Sequence, residues 1–149
     1  MITADQLVAH AIGDYVLQSD WMASKKRTEN LAAAVHAFCY SIPFLLLVPS
    51  PLAWAVIVVT HAWIDRYGLA RYVVWAKNFL APKWVVARKG FRTEHTIVSE
   101  PVWGRNLPWS ECTATGYPPD RPPFLAVWLL IVCDNCIHVL INGAALKWL

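Results

Sequence analysis

Apolar residues fall into four blocks separated by polar or proline-rich breaks. The last, Phe124 to Leu146, is interrupted by polar side chains only at Asp134, Asn135, His138 and Asn142. Leu31 to Val48 and Pro51 to Ile64 carry no formal charge. Thr3 to Trp21 has two faces: Leu7, Ala11, Tyr15 and Val16 on one side, and His10, Asp14 and Gln18 at spacing four on the other. Apolar runs of about 20 residues suit the hydrocarbon thickness of a bilayer. The pattern predicts an all-α integral membrane protein with about four transmembrane helices in a bundle. The spans are about 3–21, 31–48, 51–68 and 124–146, in a single membrane domain.

Between the third and fourth blocks the pattern changes. Leu69 to Leu80 places Leu69, Tyr72, Val73, Ala76, Phe79 and Leu80 apart from Arg71, Lys77 and Asn78, which predicts an amphipathic helix in the membrane interface. Lys83 to Glu100 is basic, with short strands expected at Trp84–Ala87 and Thr96–Val98. Pro101 to Pro123, rich in Pro, Gly and Trp, reads as an irregular loop. Residues 69–123 together form a cytoplasmic or interfacial insertion.

Composition supports the membrane reading. Hydrophobic residues make up 57% of the chain and charged residues 15%, which is apolar for a soluble domain. Four cysteines sit mostly inside apolar runs and suggest no disulfide framework. No basic n-region precedes a clean apolar stretch at the start, so no cleaved signal is expected. The net charge of +3 does not point to nucleic acid. Of the thirteen Lys and Arg, all but Lys147 lie in Trp21–Asn30 or Arg66–Pro123. The positive-inside tendency makes that side cytoplasmic. The expected location is a bacterial inner membrane, multi-pass, with both termini outward.

The chemistry lies in the polar residues of the apolar blocks. His10–Asp14, His61–Asp65 and Asp134–His138 are each four apart, on one helix face, and His36 stands alone. Ionisable groups inside a membrane segment are costly and are functional candidates. Measured from the loops at about 1.5 Å per residue, these residues reach one layer nearer the cytoplasmic face. His10, His36, His61, Asp65 and His138 are candidate metal ligands, and Asp14 and Asp134 candidate ligands or general bases. Imidazole and carboxylate suit Zn²⁺ first, then Mn²⁺ or Fe²⁺. Lys25, Arg66 and Lys77 are candidates for an anionic head group. The bland reading of each pair is helix-packing glue. Cys133-x-x-Cys136 is a weak metal or redox signal, His95 reads as solvated, and Trp75, Trp84, Trp103 and Trp109 read as interface anchors.

The pattern His10-x3-Asp14-Tyr15-x-Leu17-Gln18-x2-Trp21, followed by Lys25, His36, His61-x2-Ile64-Asp65 and Asp134-x3-His138, resembles a family of small bacterial and phage integral membrane proteins of unknown function. That family is similar in style to membrane-bound metal-dependent hydrolases. The resemblance implies a helical membrane protein and a metal, without a substrate. The functional expectation is a metal-dependent hydrolase acting on a membrane lipid or lipid-linked substrate at the cytoplasmic leaflet, with homo-oligomerisation compatible with so small a core. Two alternatives stand beside it. One is a non-enzymatic phage-type factor acting on the host envelope or excluding other phages. The other is a proton-, ion- or haem-binding membrane protein.

Overall fold

In the computed structural model, residues 2–80 and 107–149 are described in full, with the backbone of four short strands at 85–87, 92–93, 96–97 and 101–103. Helix α1 (Ala4–Ala11) starts at Thr3, whose hydroxyl accepts from the Gln6 amide at 3.2 Å. It does not continue as an α-helix. Residues Ile12–Val16 widen into a π-helical turn closed by the Leu17 amide on the Ile12 carbonyl at 3.0 Å. Ser19 then caps the short α2 (Asp20–Lys25). Helix α3 (Asn30–Ser41) tightens into a 3-10 segment, Ile42–Leu46; Pro43 has no amide hydrogen to continue the α-ladder.

Helix α4 (Pro51–Tyr67) opens with the pairing that favours a helix start, a Ser50 cap followed by proline at the first position. It ends at Gly68, which adopts φ +57 and returns its amide to the Asp65 carbonyl at 3.1 Å. That left-handed cap is a glycine conformation. Helices α5 (Ala70–Leu80) and α6 (Pro123–Trp148) complete the helical set. Strand β1 (Val85–Ala87) pairs with β4 (Pro101–Trp103), and β2 (Arg92–Thr93) with β3 (Thr96–Ile97), both antiparallel.

Helix α4 packs on α3 and α6, α5 packs on α6, and α1 lies against α6 and the 3-10 segment. Small residues set the close approaches: Ala9, Ala32, Ala33, Ala37 and Ala53 are all buried. Gly13 is the tightest of them. A Cβ there would stand 2.6 Å from both Cδ2 and the carbonyl oxygen of Tyr40, so only glycine lets the π-turn seat on α3. One apolar cluster joins Ala9, Tyr40, Phe44, Ile57 and Ala145, and a second joins Val74, Tyr117 and Ala126. Between them the centre is polar. His36, His61 and His138 rank among the largest fully buried side chains, against the usual composition of a core.

The four-span bundle is corrected by these lengths. Among the described residues only α6 is long and apolar enough to cross a membrane, with a mean hydropathy of 2.2 over its best window. The first expected span, 3–21, breaks at the π-turn and ends by Val16. The second is 17 residues with its last turns in 3-10 form (Asn30–Leu46). The third, α4, is also 17 residues and carries His61, Asp65 and Arg66 in its last two turns. A multi-pass topology with both termini outward is therefore not supported. The segment expected to lie in the interface is α5, which buries Ala70 and Val74. The expected strands appear at Val85–Ala87 and Thr96–Ile97; Trp84, Val98 and His95 lie outside the described residues.

Candidate metal centre

Four elements each deliver a polar side chain to the same point. The π-turn brings Asp14, α3 brings His36, α4 brings His61 and Asp65, and α6 brings His138; all five are buried. The ring nitrogens face inward. His36 Nε2 is 3.0 Å from His61 Nε2. Asp65 Oδ2 is 3.1 Å from His36 Nε2 and 3.2 Å from His61 Nε2. Asp14 Oδ1 is 3.3 Å from His36 Nε2 and 3.6 Å from His61 Nε2. His138 Nε2 adjoins the other oxygen of Asp65, at 3.4 Å. Two overlapping ligand groups result, Asp14–His36–His61 and His61–Asp65–His138, either of which can hold a metal ion.

These separations have a simple reading. Ligand atoms at about 2.0–2.1 Å from a tetrahedral Zn²⁺ lie about 3.3 Å from one another. The five edges among His36, His61, Asp65 and Asp14 scatter around that value. Hydrogen bonding describes only part of the set: His36 Nε2 and His61 Nε2 are in hydrogen-bond geometry with each other. Asp65 Oδ2 and His138 Nε2 have charged neighbours at ion-pair distance, yet neither has a partner in hydrogen-bond geometry. An ion at the shared point would supply those two atoms with the partner they lack.

Electrostatics keep both carboxylates and His61 in the form a metal takes. Burial works against the charge on Asp65, but the adjoining His138, His36 and His61 imidazoles outweigh it and hold the carboxyl well below the usual range. Asp14 is lowered in the same way, the His36 hydrogen bond and the neighbouring His61 overcoming burial. Burial pushes the His61 imidazole down to about 4, so it is neutral with a free lone pair. His36 moves the other way: burial alone lowers it, and hydrogen bonds to Asp14 and Asp65 raise it above 6.5.

A second ring of residues fixes the first. Tyr40 stacks on His61 with ring centres 3.6 Å apart and planes 15° from parallel. Its hydroxyl contacts His10 Nδ1 at 2.7 Å and accepts from Asn142 Nδ2 at 2.6 Å. His10 also meets Asn135 Oδ1 at 2.9 Å. Both His10 nitrogens are thus engaged, and its nearest carboxylate oxygen is at 3.6 Å. The structure places His10 beside the cage as a support of Asp14, apart from the ligand groups. Gln6 donates to the Val139 carbonyl at 2.6 Å and ties α1 to α6.

The remaining candidates divide. Asp134 lies 3.5 Å from His138, partly exposed on the rim. Lys25 turns outward to Glu29, at 3.2 Å, and it is Lys26 that reaches the centre, 2.9 Å from Asp65 Oδ2 and 3.3 Å from His36 Nε2. Arg66 is spent on the loop before α3, donating to Asn30 Oδ1 and the Arg27 carbonyl, both at 2.6 Å. Lys77 lies over the Tyr117 ring. Cys133 and Cys136 are free thiols outside the cage. Sequence reasoning missed Lys26, Tyr40 and the support roles of Asn135 and Asn142. Tyr40 stands four residues after His36 and Asn142 four after His138, the same helical spacing that marked the His/Asp pairs.

Residues 2–86 match the family described as "Protein of unknown function (DUF3307)". The chain belongs to that family. The match covers α1 to α5 and therefore every cage residue except His138. No curated protein and no solved structure matches the chain.

Proposed function

We propose that this member of the family binds one divalent cation through His36, His61, Asp65 and Asp14, with His138 adjoining, and uses it to hydrolyse a lipid or lipid-linked substrate at a membrane. The observation that carries the reading is the set of separations among those four side chains, from 3.0 to 3.6 Å. Two imidazoles and two carboxylates form a borderline donor set, which favours Zn²⁺, then Mn²⁺ or Fe²⁺. Such an ion supplies Lewis-acid polarisation of an ester or phosphoester oxygen.

Asp134 is the proton acceptor in this scheme. It is a partly exposed carboxylate that lines the cleft beside the cage, and it is not a member of either ligand group. Hydrolysis places the hydroxyl of water on the acyl or phosphoryl centre and breaks the bond to the leaving oxygen. The water's proton passes to Asp134 and from there to that oxygen.

Membrane placement has two supports. Helix α6 has the length and hydropathy of a span. The exterior is studded with large apolar side chains, among them Leu46, Trp63, Leu80 and, on α6 itself, Trp128, each more than half exposed. Apolar surface on this scale marks a lipid or protein contact. In our reading α6 crosses the membrane and the apolar exterior beside it is seated in lipid.

The test is turnover on phospholipid and acyl-ester substrates in mixed micelles, with Asp134→Asn beside the wild type. The expected result is turnover lowered about 10²- to 10⁴-fold with metal content unchanged. Equal turnover in the variant, or none by metal-loaded wild type, defeats the hydrolase reading. A specific observation favours a competing view: Lys26 already supplies a cation to Asp65, as it would in a purely structural charge cluster.

A further inference from the structure

We infer that the cleft beside the cage takes a phosphate ester carried on an apolar tail. The cleft has a volume of about 250 Å³. Its floor is the cage itself, through Asp14 and Asp65, with Asp134 alongside. Lys26, Arg27 and Arg71 line it as well. Three carboxylates face three bases, so the lining is balanced on its own. A divalent ion held by Asp14 and Asp65 tips it positive, and the ligand must then be an anion. To this extent the inference rests on the metal reading.

The arginines select the kind of anion. Neither Arg27 nor Arg71 forms a salt bridge among the described residues, and Arg71 Nε is buried without a hydrogen-bond partner. Arg71 is held at its other end, donating from Nη2 to the Tyr72 hydroxyl at 2.9 Å, with its guanidinium 4.7 Å from the Tyr72 ring centre. Arg27 lies across Gly68, its Nη2 3.0 Å from where a Cβ would stand. A side chain at that residue would push it away. Guanidinium donors beside an open space, one of them held by Tyr72, are the arrangement that recognises phosphate oxygens.

Size and polarity then fix the rest of the ligand. The volume is smaller than the roughly 300–1,000 Å³ of a site for a whole drug-sized molecule. It holds a head group and the first carbons, not a complete lipid. Tyr15, Gln18 and Asn135 add polar lining, and Leu130 and Ile131 of α6 form an apolar stretch of the wall, with Ile131 38% exposed. A tail leaving the cleft there runs along the apolar exterior of α6.

Hexyl phosphate and inorganic phosphate are the probes, titrated by calorimetry into the full-length protein in an uncharged maltoside detergent, with metal content measured on the same samples. Hexyl phosphate is expected to bind more tightly than inorganic phosphate. Arg27→Gln and Arg71→Gln should each weaken both about tenfold, the loss of one charge-assisted hydrogen bond, and Arg71→Lys should recover part of it. Ile131→Ser should weaken hexyl phosphate alone. If inorganic phosphate binds as well as hexyl phosphate and Ile131→Ser is silent, the tail is overturned and free phosphate is the ligand. Failure of both probes with metal-loaded protein, or binding unchanged in both arginine-to-glutamine variants, overturns the whole inference. Arginine-dependent binding by protein that takes up no metal would instead keep the cleft and remove the metal reading.

Discussion

His36 Nε2 and His61 Nε2 lie 3.0 Å apart inside the protein, on neighbouring helices, with an oxygen of Asp65 within 3.2 Å of both. Two imidazole nitrogens can face each other this closely only if one is unprotonated, or if both give their lone pairs to a common cation. His61, held neutral by burial, accepts from His36 in the metal-free protein, and the carboxylates on two sides equip the same point for a cation.

Metal binding should therefore compete with protons, and His36 is one place where they are held. The neighbouring Asp14 and Asp65 outweigh burial and raise His36 from its ordinary value, so it holds its proton to higher pH than a free imidazole does. The metal needs the same lone pair, and affinity rises with pH until His36 is deprotonated on its own. His61, already neutral down to about 4, contributes nothing in this range. Calorimetry in buffers of different ionisation enthalpy measures the proton count. A His36→Gln variant that still releases the same proton would contradict the assignment.

Gly13→Ala should be costly for a one-carbon change. Its Cβ would meet Tyr40 at 2.6 Å, partly against backbone, which cannot move as a flexible side chain does. Overpacking of this kind costs about 1–3 kcal/mol, and here it also lifts Asp14 away from the cage. Denaturant unfolding and metal content of the variant should both fall. A midpoint equal to wild type would show that the π-turn is not held as described.

Tyr40→Phe separates support from ligation. The stack on His61 survives, but His10 Nδ1 and Asn142 Nδ2 lose their common partner. Stranding buried polar groups costs about 1–3 kcal/mol. The thermal midpoint should drop while metal stoichiometry holds. Loss of metal with no change in the midpoint would instead make the hydroxyl part of the cage.

Much of the site was legible because helical spacing is local. His61 with Asp65, and Asp134 with His138, needed only a period of 3.6 to share a face. Counting residues from the loops brought His36 and Asp14 to one level, and the two side chains do lie 3.3 Å apart, although the count assumed four spans where among the described residues only α6 has the length. What was not legible depended on packing. Nothing in Ala11 to Val16 announces a π-turn, yet that turn ends the first helix early and removes a supposed span. Lys25, Lys26 and Arg27 are adjacent bases; which one turns inward is decided by how the six-residue α2 lies against α3. Apolar runs likewise overstated span number, because Pro43 tightens the second run and charged residues close the third.

The most direct measurement is the metal content of the purified protein by mass spectrometry, beside a His61→Ala/Asp65→Ala double variant shown to be folded. Near-stoichiometric Zn, Mn or Fe in the wild type and none in the variant is the result the cage predicts. A folded wild type that holds no metal after incubation with each ion, or a variant that holds as much as the wild type, would contradict it and leave Lys26 as the cation of a structural cluster.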